Sequence, residues 1–124
     1  MKSTKILIID DEEVIRESVS KTLTGAGYKT ITASDLHEAT QSIQKDKPDL
    51  IICDVMLPHL GGFEFVDRLK GDPEKGAIPI IMMTGMDRDI LQMTVSNADA
   101  IITKPFSSQQ ILDEVKKQLV ETTE

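Results

Sequence analysis

The sequence predicts an α/β fold, a doubly wound (βα)5 three-layer sandwich, on three observations. Five short apolar runs alternate strictly with segments of helical period. Such alternation implies a parallel sheet joined by right-handed crossovers, with helices on both faces. The apolar palette agrees: 40% of the residues are hydrophobic, Trp is absent and aromatics are 3%, so Ile, Leu, Val, Met and Ala must build the core of a sheet buried on both sides. At 124 residues, the span 1–124 reads as one domain. The strand order 2-1-3-4-5, known for doubly wound sheets of five strands, is taken over as the expected one.

The elements follow in turn. Lys5 to Ile9 is an apolar run broken by Asp10-Asp11-Glu12-Glu13, which reads as strand, loop and helix start. The first helix places Ile15, Val19 and Leu23 four apart on one face, and Gly25 and Gly27 offer the permissive backbone where it stops. Tyr28 to Ala33 is the second strand. Ser34 or Asp35 can cap a second helix with the stripe Leu36, Ala39 and Ile43, and Pro48 separates it from a third strand at Asp49 to Val55. After the turn Pro58 to Gly62, a third helix packs through Phe65, Val66 and Leu69, and a fourth strand is expected at Ile78 to Met83. A weakly patterned fourth helix is expected over Asp87 to Ser96, then a fifth strand over Ala100 to Thr103. In the last helix, Ser107 and Gln110 form a capping-box pattern, Phe106 and Ile111 stand as a hydrophobic staple, and Ile111, Val115 and Leu119 form the buried stripe.

Charge narrows the function. Lys and Arg number 14 against 21 Asp and Glu, a net charge of −7, which argues against a direct nucleic-acid or anionic-membrane surface and favours a cation or a basic partner. The single cysteine, Cys53, lies in an apolar run and reads as a small core residue. No apolar stretch approaches the roughly 20 residues of a membrane span, and a cytoplasmic protein is expected.

The residues that follow the apolar runs carry the chemistry. Asp10 and Asp11 follow the first strand, Asp54 the third, Thr84 the fourth and Lys104 the fifth, while the second ends in Ala33-Ser34. In the order 2-1-3-4-5 the second strand is an edge, so these groups fall at four neighbouring strand ends, where such sheets bind ligands. Clustered carboxylates repel one another and call for a cation. All-oxygen ligands suit Mg2+ (or Mn2+), whereas Zn2+ would want His or Cys, and neither His37 nor His59 stands at these strand ends. A metal-bound, accessible Asp54 is a competent nucleophile for phosphoryl transfer, with the Lys104 ammonium and the Thr84 hydroxyl placed to take phosphoryl oxygens.

With Ile8-Ile9-Asp10-Asp11, Asp54-Val55-Met56-Leu57-Pro58, Gly62-Phe63-Glu64, Met83-Thr84-Gly85 and Thr103-Lys104-Pro105-Phe106 in this order, the chain resembles the receiver domain of bacterial two-component response regulators, a flavodoxin-like fold of the chemotaxis-regulator type. The resemblance implies Asp54 as phosphoacceptor, Asp10, Asp11, Asp54 and the Met56 backbone carbonyl as Mg2+ ligands, Thr84 as the switch hydroxyl, Lys104 as the phosphate-binding cation and a cis peptide before Pro105. It implies a histidine kinase or histidine phosphotransfer protein as donor, and a downstream effector protein or effector domain. Such a domain assists its own modification and is not an enzyme with an external substrate. The switch is expected at the face of the fourth helix, fifth strand and last helix. The last helix is expected to run nearly to Glu124, leaving output to a separate protein or a further part of a longer chain.

The chain departs from the family at particular positions. Ile101 stands where an aromatic ring usually accompanies the threonine in the switch, and the interval from Thr84 to Lys104 is about two residues shorter than usual. Met56 and Met86 flank the site and orient water poorly, so slow loss of the phosphoryl group is expected. Taken singly, each polar group has an ordinary structural explanation: a solvated helix start for Asp10 to Glu13, a turn aspartate, a helix-cap threonine, a surface lysine. Other functions fit less well. A dehalogenase-type phosphatase needs a second acid where Met56 stands, and a flavin carrier needs a phosphate loop where this chain places four acids. A phosphorylation-independent pseudo-receiver remains the alternative, on the strength of Ile101 and the short interval.

Overall fold

The computed structural model describes residues 4–54, 62–85 and 98–123. Its elements are β1 (Lys5–Ile9), α1 (Glu13–Gly25), β2 (Lys29–Ala33), α2 (Leu36–Asp46), β3 (Leu50–Asp54), α3 (Gly62–Lys70), a 3-10 turn (Lys75–Ala77), β4 (Ile80–Thr84), β5 (Ala100–Thr103) and a C-terminal helix (Ser108–Thr123). The strands pair in parallel in the order β2-β1-β3-β4-β5. The fold class and strand order are those expected; the segment read as a fourth helix, Asp87 to Ser96, lies outside the described residues.

Alternation along the strands divides the core in two. Leu7, Ile9, Ile51, Cys53, Ile80 and Met82 face α2 and α3, where they meet Leu36, Ala39, Ile43, Phe65, Val66 and Leu69. Ile6, Ile8, Leu50, Ile52, Ile81 and Met83 face α1 and the C-terminal helix, against Val19, Leu23, Ile111 and Val115. Burying each such side chain contributes about 1.5–3 kcal/mol, so the sheet is a rigid platform for whatever its ends carry.

Local chemistry ends the helices. α1 stops where Gly27 takes φ 98°, letting the Tyr28 N–H reach back to the Leu23 carbonyl; Gly25 is the helix's last residue. Asp35 is the N-cap of α2, accepting from the Glu38 N–H at 2.8 Å, and Ser34 instead donates its N–H to the Glu38 carboxylate at 2.7 Å. The capping box of the last helix forms: Ser107 N–H donates to Gln110 Oε1 at 2.7 Å and Gln110 N–H to Ser107 Oγ at 3.1 Å. Gln118, on the same helix, is buried and donates to Glu114 at 3.0 Å, a polar exception that the apolar stripe did not reveal.

Three strands are shifted from their expected bounds. β2 begins at Lys29 because the Tyr28 N–H closes the helix end. β3 begins at Leu50 because Asp49 spends its carboxylate on the Lys5 N–H, and Val55, expected as its last residue, lies outside the described residues. β4 runs Ile80–Thr84 rather than Ile78 to Met83, because the Ile78 N–H closes the 3-10 turn on Lys75 and Pro79 has no N–H to give. No described helix is long and apolar enough to cross a membrane.

Candidate functional site

At the carboxyl end of the sheet the chain must turn out of each strand, and the residues that do so converge. Asp10 follows β1 with no exposed surface, its N–H held by the Ala33 carbonyl at 3.2 Å. Its Oδ1 accepts the Glu12 N–H at 2.9 Å, which bends the chain into α1. The N-cap of α1 is Glu12, whose side chain makes no capping bond, so the acids at this helix start are left to face outward. Asp54, the last residue of β3, is 4% exposed, and Thr84, the last residue of β4, is fully buried.

Lys104 completes the group from beyond β5. Its Nζ lies 3.1 Å from Asp10 Oδ2, 3.4 Å from Asp54 Oδ2 and 3.9 Å from Glu12 Oε1. Its N–H donates to the Thr84 carbonyl at 2.5 Å, and the Lys104–Pro105 peptide is cis. Burial alone would pull the ammonium's pKa down; the hydrogen bond to Asp10 and the charges of Asp54 and Asp10 outweigh it and hold the pKa above the ordinary lysine value. Next door, burial first and then the Asp54 and Asp10 charges push the Cys53 thiol well up, so it is a core residue with no thiolate to offer.

Carboxylate oxygens of Asp10, Asp11 and Glu12 lie within 4.8 Å of one another. Asp54 joins them through the shared ammonium. The donors are all oxygen, which fits a hard cation such as Mg2+ or Mn2+ and does not fit Zn2+. Sequence reasoning selected Asp10 and Asp11 but not Glu12; the acidic run itself was the signal, since an Asp10 side chain that bends the next two residues back brings all three carboxylates to one side. Ile101 is half-buried against the core layer of α2 and α3. His37 is exposed on α2. Met56, Met86 and His59 lie outside the described residues, so the expected backbone ligand and the two flanking methionines have no geometry to report.

Similarity to known proteins converges on the same reading. The family model described as the response regulator receiver domain matches residues 6–116. The chain is 42% identical over 115 residues to the alkaline phosphatase synthesis transcriptional regulatory protein PhoP of Bacillus subtilis, covering 90% of this chain and 47% of that protein. It is 41% identical over 124 residues to the phosphate regulon transcriptional regulatory protein PhoB of Pseudomonas aeruginosa, covering 98% and 54%. The chain thus spans about half the length of these relatives. Among solved structures, the chemotaxis response regulator CheY4 of Vibrio cholerae superposes with a TM-score of 0.89 at 34% identity, covering 95% of this chain and 100% of that one. The signal receiver domain of a signal transduction histidine kinase from Syntrophus aciditrophicus gives 0.88 at 32%, covering 96% and 92%.

Proposed function

The chain belongs to the response regulator receiver domain family of two-component signalling, and from that premise we propose that residues 1–124 act as a single receiver whose phosphoacceptor is Asp54. One observation carries the assignment: two buried carboxylates from neighbouring strands, Asp10 and Asp54, share the single Lys104 ammonium. Two anions held by one cation leave net negative charge in a buried place, a site prepared for a further cation.

In the proposed reaction an Asp54 carboxylate oxygen attacks phosphorus in a phosphohistidine of a kinase or phosphotransfer partner, or in a small phosphodonor. The P–N or P–O bond to the donor breaks, the leaving group departs with its electron pair, and an acyl phosphate remains on Asp54. Lys104, already in contact with Asp54, is placed to follow the transferred charge onto a phosphoryl oxygen, and the buried Thr84 hydroxyl stands at the next strand end to take another. Asp10, Asp11 and Asp54, with the Met56 carbonyl, would hold Mg2+ or Mn2+, which supplies charge neutralisation at the phosphoryl oxygens.

The readout is a shift of population at the face that carries Thr84 and Ile101. With Ile101 in place of a ring, that shift rests on the threonine and the backbone it moves. A hollow of about 310 Å3 lined by Ile15, Ser18, Val19, Lys104, Pro105 and Phe106 offers a phosphodonor protein a largely apolar seat next to the site. In this reading the domain is cytoplasmic, its partners are a histidine kinase or histidine phosphotransfer protein and an effector protein or domain, and it turns over no external substrate. Incubation with acetyl phosphate and Mg2+ followed by intact mass tests the assignment: one phosphoryl group is expected on the chain and none on Asp54→Asn. Equal uptake by both would overturn it.

A further inference from the structure

Of the described acids Asp10, Asp11, Glu12 and Asp54, Asp11 is the one that no side-chain contact holds. Asp10 is fixed by the Glu12 N–H and by Lys104, and Asp54 touches Lys104. Asp11 is exposed and, among the described residues, its carboxylate takes part in no hydrogen bond or ion pair. The direction of its Cα–Cβ bond, and with it the region the carboxylate can reach, is therefore set by the backbone on either side of it. The following side is pinned by the Glu12 N–H on Asp10 Oδ1 at 2.9 Å. The preceding side is the Asp10–Asp11 peptide, and its carbonyl accepts from Arg16 Nη1 at 2.6 Å.

Arg16 is suited to this task by its place on α1. It lies in the first turn, with its N–H on the Glu12 carbonyl at 3.1 Å, and helix side chains slant toward the amino end, which carries the guanidinium back over the loop. A guanidinium offers a planar, permanently charged donor, so one short bond to a carbonyl fixes the rotation of that peptide plane. The side chain is half-buried, which limits the positions its guanidinium can take.

We propose that Arg16 is a positioning residue for the divalent-cation site: through the Asp10 carbonyl it orients the Asp10–Asp11 peptide and so aims the Asp11 carboxylate at the ion. The proposal rests on the reading of Asp10 and Asp11 as ion ligands. It has an unusual sign. Judged by charge alone, removing a cation beside an acidic site strengthens the binding of another cation. Judged by positioning, it weakens that binding, as loss of an outer-sphere partner does by about tenfold or more.

Mn2+ binding to the full chain, followed by loss of the free-ion electron paramagnetic resonance signal and reversed by Mg2+, separates the two. The wild type is expected to bind one ion. Arg16→Met is expected to bind about tenfold more weakly, and Arg16→Lys, which keeps the charge and a donor on a flexible stem, to recover part of the loss. Circular dichroism on each variant establishes that the ion is offered to folded protein, and the Arg16→Lys comparison stands if Arg16→Met does not fold. Arg16→Met binding as tightly as wild type, or more tightly, overturns the positioning role and leaves the cation site standing. A wild-type chain that binds no Mn2+ overturns both.

Discussion

The two ends of the sheet both carry aspartates, and they use them in opposite ways. At the amino end, Asp49 stands just before β3 and grips the first residue of β1: its Oδ2 accepts the Lys5 N–H at 2.8 Å while its own N–H donates to the Lys5 carbonyl at 2.8 Å. Asp99, just before β5, repeats the grip on the first residue of β4, accepting the Ile80 N–H at 2.8 Å and donating to the Ile80 carbonyl at 2.9 Å. Lys70 then closes on Asp99 at 2.7 Å and on the Ile78 carbonyl at 3.0 Å. At the carboxyl end, two buried aspartates and Glu12 lean on one lysine. Acids whose charge is matched by backbone donors make structure; acids gathered with too little positive charge make a site.

The largest effects should separate the two ends completely. Asp54→Asn is expected to abolish phosphoryl uptake while leaving the urea midpoint no lower than wild type, because it removes one of two like charges and Asp10 still holds Lys104. Asp99→Ala is expected to do the reverse, costing about 1–3 kcal/mol by leaving the Ile80 N–H without its side-chain acceptor and taking the carboxylate from Lys70, which keeps the Ile78 carbonyl, with phosphoryl uptake kept in the folded fraction. Asp49→Ala should cost less, about 1 kcal/mol, since Lys5 is the first residue of β1 and, among the described residues, no lysine closes on that carboxylate. Urea denaturation and intact mass on the same samples read both properties. A clear loss of stability in Asp54→Asn would erase the contrast.

The same contrast explains what was legible in the sequence. The polar groups of the proposed site come after the apolar runs, so Asp10, Asp54, Thr84 and Lys104 stand out as interruptions at strand ends, and the strand order places those ends side by side. The stripes Leu36, Ala39, Ile43 and Phe65, Val66, Leu69 were equally plain, because buried helix faces repeat at a fixed period. Asp49 and Asp99 were not recognised as clamps. An aspartate before a strand looks like any turn residue, and its partner is the backbone of a neighbouring strand many positions away, which no local pattern records. Arg16 was hidden for the same reason: its acceptor is a backbone carbonyl, a group that every residue carries.

A smaller effect tests the carboxylates whose charge is matched by backbone and hydroxyl donors. Asp72, near the amino end, accepts from the Glu74 and Lys75 N–H groups, and these bonds hold its pKa below the ordinary value of 3.8. Glu38, near the carboxyl end, is held below 4.5 by the Ser34 hydroxyl and N–H. Each folded pKa is depressed, so each contribution is complete above the unfolded value and is lost as pH falls through the folded one. Lys104 has the opposite sign: its folded pKa is raised, so its contribution is complete below 10.5 and disappears only as pH climbs through the higher folded value. Asp72→Asn and Glu38→Gln should flatten the acid limb of a melting-temperature profile and leave the alkaline limb unchanged. An alkaline limb that moves with Asp72→Asn would show that the two ends are not separable in this way.

The smallest effect expected is a gain, and it belongs to the amino end. Lys47 closes α2 in the left-handed region at φ 49°, directly before Pro48, with its N–H on the Ile43 carbonyl at 3.2 Å. A side chain there crowds its own backbone, and a following proline tightens the restriction. Lys47→Gly removes the crowding but adds freedom to the unfolded chain, so the two terms oppose and a net gain of about 0.5–1 kcal/mol is expected. Lys47→Ala keeps the Cβ and should gain nothing. Denaturant midpoints for the pair decide whether the strain is stored at this residue, since equal values for Gly and Ala would place it elsewhere. Phosphoryl uptake should be the same in both variants, because relief of strain at the closed end of the sheet leaves the charges at the other end where they were.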